Sequence, residues 1–402
     1  MDRINMDRIK KPAFGPLIAA LAILLILLFF PVSFAKKLLT NQDIEKVAAS
    51  ADLAKFKNVF LQKEAFSMNQ KFLPFFGSST IGIFSRYHPV NFFSPNQFAP
   101  YLVGQPGCTN IIHVMDFSAL SGNLYHKKLV FMLDTSEFMN PNGIGDQGFS
   151  KFYSPLNGYE FLFNDEIRPQ DKKQVAEQLL KYAAVKKDGL LATILEGITH
   201  DSLSYQIKAD FLKPIAYLRM KLLEKQDFIQ SLQLVNRIQP YHQQFVPRNL
   251  PWNQLRSMAI QEAKPQTNNN PYGMLDGFYK QKVQKFKGKL KDSWKPNHMN
   301  YLHSVAYVDL QAILDVLKSE HADPVFVLIP QKGAWDDYKG FTNSYRNLLY
   351  NKIVNEVKAE GFQVLDYRNH QYDKYFLRDF WHLGWTGWVQ VDHDLANYMK
   401  QK

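Results

Sequence analysis

The sequence predicts an α/β fold in which helices flank a parallel sheet, with a helical insertion and an N-terminal transmembrane helix. Three observations lead to this prediction. Short apolar runs alternate with helical stretches, residues 160–295 turn mainly helical, and an uncharged apolar segment begins at residue 12. The 402 residues are 46% hydrophobic and 21% charged, which excludes a disordered chain and a membrane protein of many spans.

The apolar segment at residues 12–35 contains 24 residues without a charged side chain. At about 1.5 Å per residue, a helix of this length just spans a bilayer core of about 30 Å. Four basic residues precede the segment, and basic residues favour the cytoplasmic side of a membrane. We therefore expect a cytoplasmic segment at residues 1–11, a transmembrane signal anchor at 12–35 and an extracellular domain at 36–402.

The alternative for this segment is a cleaved signal peptide, because Ser33 and Ala35 form a small-x-small cleavage site. Both interpretations export the domain. An exported domain with a single cysteine, Cys108, has no intramolecular disulfide, which is common on the outside of bacterial cells. We read Cys108 as a small buried residue, because no partner for a nucleophilic thiol is obvious nearby in the sequence.

The chain carries 48 Lys and Arg residues against 37 Asp and Glu residues, a formal net charge of +11. This excess suits an anionic membrane surface or a polyanionic wall polymer, and no nucleic-acid partner is predicted. Six lysines lie within residues 280–291. They predict either a solvated helix face or a docking surface for phosphate-rich polymer or lipid headgroups.

The sequence predicts neither a metal site nor an organic cofactor. One cysteine excludes a thiolate zinc site and an iron–sulfur cluster. The eleven histidines show no HExxH or comparable ligand spacing.

Five apolar runs of three to six residues have strand composition and are bounded by Gly, Pro, Asp or another polar residue. They are residues 71–76, 101–103, 128–133, 325–329 and 362–365. The helical stretches are residues 41–68, 111–120, 305–319 and 342–360. Strands that alternate with helices predict a parallel sheet covered on both faces, with the active site at the carboxyl ends of the strands.

Residues 160–295 interrupt this alternation with long helical segments at 171–185 and 210–237. They predict a mainly helical insertion instead of further sheet. Within it, residues 265–273 are polar and turn-forming, and they predict a loop.

The first stretch that could take part in catalysis is Gly77, Ser78 and Ser79, directly after the first predicted strand. Glycine permits a tight turn there, and a serine on the turn exposes its hydroxyl at the carboxyl edge of the sheet. If a helix begins at this turn, its first N–H groups point at a developing oxyanion. A turn that merely caps a helix is the simpler interpretation of this motif alone.

The second stretch contains Asp379 and His382, three residues apart, after the last predicted strand. One turn places both side chains on the same side, where the carboxylate can fix the tautomer of the imidazole. Because the serines follow the first strand, all these groups would meet at one edge of the sheet. A Ser–His–Asp nucleophile system can assemble there.

An early G-x-S and a late D-x-x-H on an α/β sheet resemble the SGNH (GDSL-like) hydrolase superfamily. More closely, the chain resembles the DltD family, the exported D-alanyl transfer proteins of teichoic acid D-alanylation. The matching stretches are FFGSST, VGQPG, KFYSPLNGYEFL, NNPYGMLDGFY, IPQKGAWDDYKGF and DFWHLGWTGW. They run in family order from residue 75 to residue 388.

This resemblance implies roles for five residues. Ser79 becomes the nucleophile and Ser78 the runner-up. His382 becomes the general base and Asp379 the acid that orients it. Gly107 matches the glycine whose backbone N–H helps to form the SGNH oxyanion hole, and the Ser79 N–H would be another donor.

The chain also departs from the family pattern. SGNH enzymes usually carry a G-x-N-D motif whose Asn donates to the oxyanion, whereas residues 133–138 contain no Asn. The family commonly has an acidic residue after the two serines, where this chain has Thr80, and a Ser-Pro-Gln-Trp-Phe-like stretch at the third strand, where it has residues 134–138. We therefore expect an oxyanion hole that is incomplete or built differently.

Four further residues are candidates for the rim of a substrate site. Trp335 and Asp337 follow the fourth predicted strand, and a plain surface loop is the alternative for them. Asn269 lies in the polar loop of the insertion. Trp385 follows His382, where a core anchor is the alternative to a ligand platform.

The resemblance implies acyl transfer outside the membrane, from Ser79 carrying D-alanine to a polyol-phosphate hydroxyl of lipoteichoic acid. The implied partners are a membrane-bound O-acyltransferase and, against the expected topology, a cytoplasmic D-alanyl carrier protein. Two other functions stay open. One is an esterase or thioesterase that deacylates a carrier or the wall, and the other is a scaffold without bond chemistry.

Overall fold

The computed structural model describes residues 15–16, 18–20, 22, 38–68, 71–93, 98–294 and 296–401. Its sheet contains β1 (Phe72–Gly77), β2 (Ala99–Gly104), β3 (Lys128–Leu133), β4 (Asp323–Leu328) and β5 (Gln363–Asp366). The strands are parallel in the order β2-β1-β3-β4-β5. Each begins and ends within two residues of its predicted bounds, so the α/β fold with a parallel sheet is confirmed.

Helices surround the sheet on both faces. In chain order they are α1 (Asn41–Ala48), α2 (Leu53–Phe56), α3 (Val59–Ser67), α4 (Pro89–Phe92), α5 (Asn110–Leu120), α6 (Asp146–Phe152), α7 (Pro155–Phe163), α8 (Pro169–Leu179), α9 (Ala183–Lys186), α10 (Gly189–Thr199), α11 (Leu203–Arg237), α12 (Trp252–Ala263), α13 (Asp276–Phe278), α14 (Lys287–Leu290), α15 (Ala306–Ser319), α16 (Gly333–Lys339), α17 (Asn343–Ala359) and α18 (Trp385–Tyr398).

Alternate side chains of each strand enter two separate cores. Phe76 of β1 packs against Phe117 of α5, with 4.4 Å between the ring centroids. Its neighbour Phe75 belongs to a second buried cluster that includes Ala259 of α12 and Val391 of α18. Because both faces of the sheet are covered, the strands are apolar throughout, as in the predicted runs.

The strand order fixes where a ligand can bind. The chain passes from β1 to β2 on one side and then returns to place β3 on the other side of β1. The loops that follow β1 and β3 therefore diverge at their carboxyl ends and leave a crevice, the usual ligand site of open α/β sheets. Ser78 and Ser79 follow β1 at this position.

The helical stretch predicted at residues 41–68 is divided into three helices, α1, α2 and α3. Asp52 accepts hydrogen bonds from the backbone N–H groups of Ala54 and Lys55, and Asn58 accepts one from Leu61. Short Asx side chains satisfy the free N–H groups of a helix start, so they begin new helices here and end the preceding ones.

Residues 160–295, as far as they are described, form helices and loops. The helix predicted at 171–185 is divided into α8 and α9, whereas the one predicted at 210–237 extends back to Leu203 as the 35-residue α11. The lysine cluster at 280–291 covers a π-helical turn, Tyr279–Val283, and the short α14. It is therefore not one continuous α-helical face.

The predicted anchor at residues 12–35 and the segment 1–11 lie outside the described residues, apart from 15–16, 18–20 and 22. In the part of the chain that is described, no helix combines the length and the apolar character that a membrane span requires. The anchor stays a prediction.

Candidate active site

A tight turn brings Ser79 to the crevice. β1 ends at Gly77, and a 3-10 turn begins at Ser79. A Cβ on Gly77 would lie 2.9 Å from Thr80 and from Ile81, so this turn needs glycine. Ser78 is buried, whereas Ser79 is half-buried and lines a cleft.

Ser79, His382 and Asp379 form one hydrogen-bond network. The Oγ of Ser79 lies 2.7 Å from Nε2 of His382, and Nδ1 of His382 lies 2.8 Å from Oδ2 of Asp379. An ionised carboxylate can only accept, so Nδ1 carries the proton and Nε2 is free to accept from the Ser79 hydroxyl. This is the tautomer that a general base requires.

A small closed loop holds the acid of this network. Leu377 pairs with Leu383 in an antiparallel bridge, and the loop between them carries Asp379 and His382. Burial raises the pKa of Asp379, but hydrogen bonds from the His382 ring and from the N–H groups of His382 and Trp381 outweigh it and hold the pKa below its usual value. Asp379 is therefore a stable anion in the network.

A buried lysine, Lys332, lies close enough to Asp379 to feel its charge. Lys332 precedes α16, and its N–H donates to the carbonyl of Phe380. Burial lowers the pKa of Lys332 to about 8, and the charges of Asp379 and Asp373 oppose that shift. The ammonium group thus contributes positive potential to the acid of the network.

Phe84 and Arg378 cover one side of His382. The ring of Phe84 packs edge-on against the imidazole, with 5.2 Å between centroids. The Arg378 guanidinium lies 4.9 Å from the centre of that ring, and its Nη1 donates to the Phe84 carbonyl at 2.9 Å. Neither residue was a sequence candidate. The only sequence signal was that Arg378 directly precedes Asp379.

The cleft beside Ser79 has a volume of about 650 Å³ and mainly apolar walls. One wall comes from residues 81–84 and another from residues 49–51, at the start of the domain. A third comes from residues 239–242, directly after α11. The sequence offered no signal that these distant segments meet at the serine turn.

Ser78 has a different partner from Ser79. Its hydroxyl donates to Oδ2 of Asp134 at 2.7 Å, and Ser136 donates to the other oxygen. Asp134 follows β3, where the SGNH pattern has its Asn. The two carboxylate oxygens of Asp134 accept from these serines and supply no oxyanion donor. That the oxyanion hole is incomplete or built differently stays a prediction. The N–H groups of Ser79 and Thr80 begin the 3-10 turn and have no acceptor within it.

Gly107 lies in an exposed turn with a φ of +85°, and the N–H of Cys108 donates to the carbonyl of Gln105 across it. This backbone conformation explains why glycine occupies position 107. The oxyanion role of Gly107 stays a prediction. Gly104 instead lines the cleft. A Cβ on Gly104 would lie 1.9 Å from the Gly77 carbonyl, so glycine is required beside the serine turn.

The four rim candidates are placed differently from one another. Trp335 is 2% exposed inside α16 and packs on Tyr338 and Phe380, so the rim prediction is corrected to a core anchor. Asn269 binds Asp276 through its N–H and Nδ2, and its contact with substrate stays a prediction.

Asp337 and Trp385 are the other two candidates. Asp337 pairs with Arg346 at 2.8 Å and accepts from the hydroxyl of Tyr372. Trp385 is buried, but it lines a cavity of about 150 Å³ that Phe84 and Arg378 also line. Their contacts with substrate stay a prediction.

Cys108 is buried, as expected, but it does have a nearby partner. Its Sγ lies 3.7 Å from Nε2 of His113, whose Nδ1 lies 3.2 Å from Asp116. Burial raises the pKa of the Cys108 thiol well above its usual value, so the thiol stays protonated. All three side chains are at most 3% exposed, so they are nearly inaccessible to solvent.

Comparison with known proteins gives matches over nearly the whole chain. The sequence model of the family described as DltD protein matches residues 48–400. A relative named Protein DltD from Bacillus subtilis (strain 168) is 33% identical over 396 residues, covering 97% of this chain and 98% of the relative. A protein of the same name from Staphylococcus aureus (strain NCTC 8325 / PS 47) is 25% identical over 97% of this chain and 97% of its own length. Another from Lacticaseibacillus rhamnosus is 26% identical over 96% of this chain and 90% of its own length.

Proposed function

Because this chain belongs to the DltD family, we propose that it acts in the D-alanylation of teichoic acids as an acyltransferase. Ser79 accepts D-alanine and passes it to a polyol-phosphate hydroxyl of lipoteichoic acid. The observation that carries this proposal is the network in which Ser79 Oγ lies 2.7 Å from a correctly oriented His382.

The reaction has two steps with the same base. In the first, Nε2 of His382 takes the Ser79 proton as Oγ attacks the D-alanyl carbonyl, and the leaving group departs with that proton. In the second, Nε2 takes the proton of the acceptor hydroxyl, whose oxygen attacks the acyl carbonyl. The bond to Ser79 Oγ breaks, the proton returns to Oγ, and a D-alanyl ester is formed. Asp379 stabilises the imidazolium in both steps.

The position of the cleft suits an acceptor held in a membrane. Residues 49–51 line it, and only α1 and a few residues separate them from the predicted anchor. Thirteen residues lie between the predicted anchor and residue 49, eight of them in α1, and even a fully extended connection would let this segment reach no more than roughly 30 Å. A single-pass anchor would therefore keep the extracellular site near the lipoteichoic acid and raise the local concentration of this acceptor at Ser79.

The proposed donor is a membrane-bound O-acyltransferase of the same pathway. A D-alanyl carrier protein in the cytoplasm would be separated from Ser79 by the membrane. Transfer within the membrane plane avoids this difficulty, because both proteins lie in the same bilayer.

Complementation tests this function. A Gram-positive host that lacks its own DltD would receive the full chain, and the D-alanine ester content of its lipoteichoic acid would be measured. We expect restoration to the level that the host's own reintroduced protein gives. If the chain accumulates in the membrane and the ester content stays at the level of the deletion strain, the proposed function is wrong.

Hydrolysis is the second candidate, because the same network would also activate water against the acyl-enzyme. What distinguishes transfer is recognition of the acceptor, whose phosphate is anionic. Within the described residues Arg378 forms no ion pair, and it lines the cavity next to His382. The neighbouring Arg86 is already paired with Glu262 at 2.8 Å.

Arg378→Gln is expected to lower transfer to a glycerol-phosphate acceptor about 10-fold or more, because a hydrogen bond to a charged group contributes about 1.5–3 kcal/mol. Hydrolysis of a small D-alanyl ester, which has no phosphate, should change less than about threefold. Arg86→Gln is the matched control, with little effect on either rate. Equal losses of both rates in Arg378→Gln would show that Arg378 instead supports Phe84 and His382.

A further inference from the structure

The long helix α11 exposes an apolar stripe that the proposed chemistry does not use. We define the apolar stripe by the five side chains of Leu203, Ile207, Phe211, Ile215 and Leu218, each between 49% and 78% exposed. At 100° per residue, these positions fall within one arc of about 120°.

The same helix already has an inward side. Ala209, Ala216 and Met220 are buried against the domain, and their positions lie opposite the centre of the apolar stripe. A surface helix of a soluble protein normally buries its largest apolar residues. Here Ala209 and Ala216 face inward beside Met220, whereas the five large side chains of the apolar stripe face outward, which marks an interaction surface.

Basic side chains border the apolar stripe. Lys208 and Arg219 are exposed along one edge, and Lys213 lies on the other side, paired with Asp210 at 2.8 Å. Long basic side chains beside an apolar face are typical of helices that lie in the interface of an anionic bilayer, where the charges reach the headgroups.

The other end of α11 meets the entry of the chain into the domain. Lys46 of α1 donates to the carbonyl of Val235 at 2.7 Å, and Arg237 pairs with Asp52 at 2.8 Å. From Val235 to Phe211 the helix runs about 36 Å. A helix that lies along the membrane would therefore touch it through the apolar stripe at one end and lie beside the predicted anchor at the other.

We propose that the apolar stripe inserts into the interface of an anionic lipid bilayer and gives the extracellular domain a second membrane contact. This contact fixes the orientation of α11 along the surface. Residues 239–242, which follow α11 and line the cleft, are then held close to the bilayer. The proposal depends on the predicted anchor for its geometry and is independent of the chemistry at Ser79.

Spin-label accessibility tests this contact in the full chain. The protein would be placed, one copy each, in nanodiscs that contain phosphatidylglycerol, with a label at Phe211→Cys. The native Cys108 is 3% exposed and stays unlabelled. The matched control is Gln206→Cys, exposed on the same helix but outside the apolar stripe. Ile215→Cys repeats the test with a second residue of the apolar stripe.

Oxygen collects in the bilayer, and a charged nickel chelate stays in water. We expect the ratio of oxygen to nickel accessibility at Phe211→Cys to exceed that at Gln206→Cys at least about threefold. A label at 211 that the nickel chelate reaches as easily as at 206 overturns the proposal. A label shielded from both reagents overturns it too, because that shows cover by protein, such as a second copy. A chain that does not migrate with the nanodiscs contradicts any membrane contact.

Discussion

Replacing Ser79 with Ala is expected to lower D-alanine transfer roughly 10³-fold or more, because a nucleophile and its base act as a unit. The Oγ of Ser79 is the atom that lies 2.7 Å from Nε2 of His382, and the substitution removes it without filling the cleft. The measurement is the D-alanine ester content of lipoteichoic acid in cells lacking the native protein, complemented with each variant at equal membrane levels.

Ser78→Ala is the matched control one residue away. Ser78 is buried and bound to Asp134, so its loss removes a hydrogen bond to a carboxylate and leaves the network of Ser79 intact. We expect a modest loss of stability, about 1–3 kcal/mol, and much of the ester content to remain. Ester retained in full by Ser79→Ala would contradict the assignment of the nucleophile and favour a scaffold. Ester lost only in Ser78→Ala would show that the register of the turn is wrong.

The strands of the sheet and the residues Ser79, Asp379 and His382 could be predicted from the sequence, because short local patterns identify them. Each strand is a short apolar run with polar ends, because a sheet covered on both faces needs apolar residues at every position. Ser79 follows the first run and His382 follows the last. Parallel strands gather the loops at their carboxyl ends, so the sequence order of these residues predicts their proximity.

The surroundings of the site depend on contacts that no local pattern records. Phe84 reaches His382 because Gly82 leaves room, since a Cβ there would lie 2.5 Å from the Phe84 ring. Residues 49–51 and 239–242 meet at the cleft only through tertiary packing. Trp335 was misplaced for the same reason. Its position after β4 suggested the rim, but Tyr272 and Phe380, which help to enclose it, come from two other segments.

The apolar stripe illustrates a further limit. The sequence of α11 shows apolar residues on two sides of the helix, and periodicity alone does not say which side faces the core. The packing of Ala209, Ala216 and Met220 decides it. Ala209 and Ala216 permit close approach to the domain, and the five larger side chains of the apolar stripe are left outside.

Asp379→Asn is expected to lower transfer about 10³–10⁴-fold, through the tautomer of His382. The Asn amide can donate to Nδ1, which leaves the imidazole proton on Nε2, facing the Ser79 hydroxyl. Nε2 then cannot accept the Ser79 proton. The Oδ1 of Asn can still accept the N–H groups of Trp381 and His382, so the loop should keep its shape. The measurement is the same ester assay, with the thermal stability of the purified variant.

The pH dependence of the free energy of unfolding shows whether Asp379→Asn acts through the tautomer of His382 or through a loss of structure. The pKa of Asp379 is held below its usual value, so the unfolded chain binds a proton at a higher pH than the folded one. Asp379 therefore contributes stability that is present above about pH 4 and is lost as the pH falls through its folded value. Asn has no such titration, so the stability of Asp379→Asn should fall less steeply in acid. One outcome is that Asp379→Asn shows this weaker acid dependence and still keeps a tenth or more of the wild-type transfer rate. That result would show that His382 needs no carboxylate to orient it, and it would contradict the proposed role of His382 as the base.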